Sequence, residues 1–166
     1  MRMIAAICLL MLGERGARAE REPSVWEAEL RLGYGVSMTG GDGMTTTSTT
    51  PLDVSAILAI AIRDQPRVYA FGGITAEALD RTGVGVVAGV RLVPLAGAMR
   101  LAAGGTWIAA PATLWGAMGS AGVCHRGDLG LCLDAQLTSY FAGTAIGPDQ
   151  TITQVQLVAG LVFDAL

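Results

Sequence analysis

Over residues 24–38 the side chains alternate in character without a break. Trp26, Ala28, Leu30, Leu32, Tyr34, Val36 and Met38 fall on one parity, and Glu27, Glu29, Arg31, Gly33, Gly35 and Ser37 on the other. A strand period of two puts every charge on one face and every large apolar group on the opposite face, whereas a helix would mix them. The same alternation recurs over residues 52–63, 84–93, 99–109, 114–125, 129–141 and 152–166. Residues 68–79 form a weaker strand, because Tyr69 and Phe71 share a parity with Thr75 and Glu77; a bulge or glycine kink near Gly72-Gly73 is expected to reconcile them. That makes eight strands. The Gly/Thr-rich stretch 39–50 lacks an apolar period and is expected to be the longest loop, and a mobile one. Residues 143–151 form the last loop.

Eight alternating strands suit a soluble ligand-binding barrel, a two-sheet sandwich or a barrel that spans an outer membrane. In the soluble cases the bulky apolar residues turn inward and charge covers the outside. Here the charges inside strands share a face with glycine, alanine and serine, and the large aliphatics hold the other face. This is the inverted pattern of a transmembrane barrel. Strand lengths agree, since a tilted strand needs about 9–11 residues to cross the hydrocarbon. Trp107 and Trp115 fall near one set of turns on the apolar face, and Trp26 and Phe163 near the other, as aromatic girdles require. A membrane helix over residues 101–124 is the structural rival, being free of charge, but the stretch contains Pro111, five glycines and two period-two faces.

Composition sharpens this picture. Of 166 residues 52% are hydrophobic, 23 are glycine and only 15% are charged, too few charges for an ordinary water-facing surface. Residues 1–19 read as a signal peptide: Arg2, the apolar run IAAICLLML, then Ala17-Arg18-Ala19 as a small-x-small cleavage site. The domain is then 20–166. Without Arg2, Arg15, Arg18 and Glu14, eight arginines face thirteen acids, which argues against nucleic-acid binding on charge grounds. Two cysteines remain, Cys124 and Cys132, bracketing the turn in CHRGDLGLC. An even pair in an exported chain favours a disulfide, and with His125 as the sole histidine the donor set is poor for a metal. No metal or cofactor is expected.

A signal peptide followed by eight amphipathic strands, with segments such as YGVSM and LVAGLVF, resembles the small outer-membrane β-barrels of the OmpA/OmpX-like type. Such barrels typically end on an outward-facing aromatic; here the terminus is Leu166, of opposite parity to Phe163. The resemblance implies a monomer in the bacterial outer membrane, contacting outer-membrane lipid and delivered by periplasmic chaperones and the barrel-assembly machinery. It also implies that both termini are periplasmic, so that the stretches 39–50 and 143–151 face the exterior. The periplasmic half of the lumen then collects Glu27, Glu29, Arg31, Arg63, Arg91, Arg100, Asp134 and Asp164, four acids against four arginines. Unpaired ions in that interior are costly and paired ones tolerable, so a salt-bridge plug is expected. Cys124 and Cys132 share the inward face.

The outer half of the lumen reads as small and apolar, with Ile57, Val87, Ile108, Leu114, Met118 and Tyr140 either filling it or lining a pocket for a small hydrophobic ligand. Barrel enzymes that modify lipid A resemble this architecture and depend on a histidine working with a serine. His125 is expected beside a periplasmic turn without such partners, so no enzymatic activity is expected. The leading expectation is a structural or surface-interaction barrel.

Overall fold

The computed structural model describes residues 25–41, 44–62, 65–79, 82–94, 98–125 and 129–165. The proposed signal peptide, Arg63, the Arg126-Gly127-Asp128 turn and Leu166 lie outside the described residues. The strands are β1 (Trp26–Gly41), β2 (Met44–Thr49), β3 (Leu52–Ile62), β4 (Gln65–Ala78), β5 (Gly83–Leu92), β6 (Met99–Ala110), β7 (Leu114–His125), β8 (Gly130–Gly143) and β9 (Thr151–Ala165). All pairings are antiparallel, each strand from β3 onward pairs with its successor, and β9 returns to β1 along almost its whole length, from Trp26↔Ala165 to Gly40↔Thr151. The sheet is thereby closed, and a closed sheet has no edge to protect in its wall.

The wall has eight members because β2 and β3 are two halves of one return strand. On the side of β1 away from β9, Trp26 to Gly33 pair with β3 and Val36 to Gly41 with β2. Between them the register slips by one residue at Thr50-Pro51. Pro51 has no N–H to give. Thr50 bridges the gap, its N–H donating to Gly35 O (3.0 Å) and its hydroxyl accepting from Gly35 N–H (2.7 Å). The stretch expected to be a mobile loop is therefore a hairpin arm. Threonine is β-branched and extends readily, but the exposed β2 has no core face, so alternation could not reveal it.

Along the wall, β4 apart, the expected parity holds strand by strand. Leu30, Leu58, Val86, Leu101, Leu133 and Leu157 stand exposed, Leu157 at 65%, while Glu27 between Trp26 and Ala28 is 0% exposed. Leaving one such leucine in water instead of an apolar phase forfeits about 1.5–3 kcal/mol, and a band of them marks a surface built for lipid. Trp107 and Trp115 are direct cross-strand partners, stacked with ring centroids 5.2 Å apart, and Trp26 and Phe163 lie at the opposite end. From Trp26 to Val36, ten rises of about 3.3 Å at a ~40° tilt give a height of roughly 25 Å, that of a barrel's apolar band.

β4 departs from expectation. Tyr69, Phe71, Thr75 and Glu77 all face inward, and pairing with β3 runs uninterrupted through Gly72 and Gly73. The register shifts lie instead at Ala61/Ile62, Val84/Gly85 and Trp115/Gly116. No kink is needed, because Tyr69 and Phe71 are core residues, packed with Ile57, Ala59, Val87, Val93 and Met118.

Candidate functional site

The site is the lumen. Period two along β1 delivers Glu27, Glu29 and Arg31 to it in one column; β5 contributes Arg91, β6 Arg100 and β8 Asp134, each of them 6% exposed or less. In a ring of eight, β6 stands diametrically across from β1, so contact between them spans the barrel. Glu29 is the hub. Its Oε2 accepts from Arg91 Nη2 at 2.5 Å, and its Oε1 lies 2.7 Å from Arg100 Nη2 and 3.7 Å from Arg31 Nε. Arg100 holds Asp134 as a fork, Nε to Oδ1 at 2.7 Å and Nη2 to Oδ2, the planar two-point match that lysine lacks. Glu27 Oε2 accepts from Arg91 Nη1 at 3.4 Å, and Arg31 Nη2 is 3.5 Å from Asp134 Oδ2. The Arg91 guanidinium also sits 5.7 Å from the centre of the Phe71 ring.

Six of the eight charges expected in the lumen thus meet in one cluster, three acids against three arginines. Arg63 lies outside the described residues, as does the side chain of Asp164, whose backbone pairs opposite Glu27. Glycine makes the room: a Cβ on Gly160 would collide with Glu29 Oε1 and approach Arg100 Nη2, and one on Gly122 would collide with Asp134 Oδ1. Two unit charges 4 Å apart attract by about 4 kcal/mol at an effective dielectric of ~20, but each buried ion also costs several kcal/mol in lost hydration. The cluster is stable as a set and costly to break in part.

Above it the lumen also carries a polar band, beside the small apolar residues expected there. Arg31 Nη2 donates to Gln136 Oε1 at 2.8 Å, and Gln136 Nε2 donates to Thr138 Oγ1 and Gln156 Oε1. Facing them, Asp53 accepts 2.5 Å hydrogen bonds from the hydroxyls of Ser55 and Thr75. These groups border a cavity of about 20 Å³, room for roughly one water molecule. The signal was present in the inward parity of Gln136, Thr138, Gln154 and Gln156.

The six residues considered for a hydrophobic pocket are all buried but divide. Ile57, Val87 and Met118 belong to the aromatic cluster around Tyr69 and Phe71. Ile108, Leu114 and Tyr140 form a second cluster at the end of the barrel away from Trp26, against which Ile146 and Ile152 pack. The β8–β9 connection that brings Ile146 there is fastened to the β6–β7 turn: Thr144 N–H donates to Thr113 O and Thr113 N–H to Thr144 Oγ1, both at 2.9 Å. Cys124 and Cys132 are joined in a disulfide between β7 and β8, and His125 is exposed on the outward parity, on the far side of the wall from the lumen.

No family model and no curated protein sequence matches the chain. Solved structures do. Neisserial surface protein A (NspA) is similar with a TM-score of 0.53 at 9% identity, over 86% of this chain and 98% of that one. Ail, the attachment invasion locus protein of Yersinia pestis, gives 0.52 at 14% identity over 82% and 98%. A second Ail structure, in complex with the heparin analogue sucrose octasulfate, gives 0.53 at 15% identity over 83% and 99%. At such identities the likeness is one of fold, an all-β, eight-stranded, antiparallel closed barrel, which fits the resemblance to small OmpA/OmpX-like barrels.

Proposed function

We propose that this chain is a small bacterial outer-membrane barrel with a structural or surface-interaction role, its lumen plugged by the charge network rather than open as a pore. The observation that carries this reading is the inverted surface: large aliphatics exposed on every wall strand, ions buried inside. With both termini periplasmic, the Glu29-centred cluster lies in the periplasmic half, and the hairpin arm and the Ile146 connection face outward. The partners that follow are outer-membrane lipid, periplasmic chaperones and the barrel-assembly machinery, with the barrel itself a monomer.

A hydrophobic-ligand channel has less to support it, since the polar cavity holds about one water and the apolar groups pack against one another. Lipid A chemistry has less still. The lipid A-modifying barrels pair their serine with a histidine, and the wall separates His125 from lumenal Ser55, whose hydroxyl is held by Asp53 instead.

A surface role need not copy that of the structural neighbours. Beyond residue 19 the chain carries thirteen acids against eight arginines, so a polyanion meets net repulsion. Sucrose octasulfate should give no saturable binding by calorimetry at moderate salt. Fractionation tests the main reading: the mature protein should sediment with outer membranes and shift gel mobility on boiling, and a soluble protein with unchanged mobility would refute it.

A further inference from the structure

Cys124 and Cys132 are direct cross-strand partners on the lumenal parity of β7 and β8. Cys132 is 6% exposed and Cys124 is partly covered. Both strands are hydrogen-bonded along both edges: Cys124 N–H donates to Ala98 O at 3.0 Å, and Cys132 stands opposite Gly160, whose neighbours are Glu29 and Arg100 of the ion cluster. A protein that makes or breaks a disulfide must bring its own sulfur in line with the target sulfur and pass through a mixed disulfide. In the last inward-facing layer before the end of β7, with Cys132 6% exposed and both strands paired on either side, the wall leaves a protein little room to approach the sulfurs in line. Before closure the obstacle is absent. The cysteines are eight residues apart with Gly127 and Asp128, turn-favouring residue types, between them, so the open chain brings them together at little entropic cost.

We propose that Cys124 and Cys132 are the substrate of a thiol–disulfide exchange oxidase of the Cys-X-X-Cys class that acts on the open chain, so that the bridge is made before the barrel shuts. One cysteine thiolate attacks the oxidase disulfide, breaking its S–S bond and forming a mixed disulfide. The second thiolate displaces the oxidase, forming the Cys124–Cys132 bond. Two electrons and two protons pass from the chain to the oxidase, which leaves as a dithiol. Closure then shelters the bridge from the same class of protein.

This rests on the chain folding as an exported barrel, and a test in vitro separates the two, because heat-modifiable mobility reads barrel formation independently. The reduced chain is refolded in detergent micelles or held in urea, then mixed with an oxidised Cys-X-X-Cys oxidase, and free thiols are counted by alkylation and mass. The enzyme should oxidise the folded barrel at least about a hundredfold more slowly than the unfolded chain, since access needs a rare opening, while diamide, a small oxidant, closes the bridge in both. Equal enzymatic rates on the two forms would overturn the proposal. If the reduced chain does not fold, the oxidised barrel is offered the reduced exchange protein instead: resistance until urea is added supports the order, and reduction of the folded barrel overturns it.

Discussion

Glu29 and Leu30 are consecutive residues of β1 in opposite solvents. The carboxylate is 2% exposed and ringed by three guanidinium groups; the leucine is 51% exposed beside other aliphatics. In a water-soluble barrel these environments would be exchanged. The inside depends on every partner being present, whereas the outside depends only on a general apolar character. Tolerance to substitution should therefore differ sharply between two neighbours on one strand.

The largest effect is expected from Glu29→Leu, which leaves Arg91 and Arg100 buried with the hub removed. Equilibrium unfolding by urea from lipid vesicles should show a loss of about 3–5 kcal/mol. Next comes Leu133→Arg, on the lipid side beside Asp134 and between the girdle and the middle of the band, at about 1–3 kcal/mol in the same measurement. Were that arginine neutral, the exposed face would be facing water. Arg31→Leu should destabilise more than Leu30→Val, because the first strips a donor from Asp134 and Gln136 while the second trims a lipid contact; indistinguishable unfolding curves would erase the difference between the two faces. Smallest is Thr47→Ala on the projecting hairpin, within about 0.5 kcal/mol, as expected away from core and cluster.

Most of the wall was legible from alternation, since a strand half in lipid and half in a packed lumen must alternate. Charge parity likewise identified the members of the cluster. Their connectivity was not legible, because which arginine reaches Glu29 depends on shear and ring position, which no single strand encodes. Alternation failed where both faces meet one medium, as in β2, and it could not by itself assign Tyr69 and Phe71, whose aromatic character suits a girdle or a core equally. Parity alone turns Gln136 and Gln156 inward, but it does not say whether they or the apolar residues on the same face set the character of that layer. The fastening of Thr113 to Thr144 lies beyond any periodic signal, in two connections far apart in sequence.

All three tryptophans of the chain, Trp26, Trp107 and Trp115, sit on the outward parity, so the wild-type protein reports the medium outside its wall without substitution. The barrel is refolded into vesicles, and its fluorescence is quenched in turn by lipids brominated along the acyl chain and by aqueous iodide. Strong quenching by the brominated lipids with little effect of iodide is the expected result. Strong quenching by iodide with none from the brominated chains would contradict the inverted barrel.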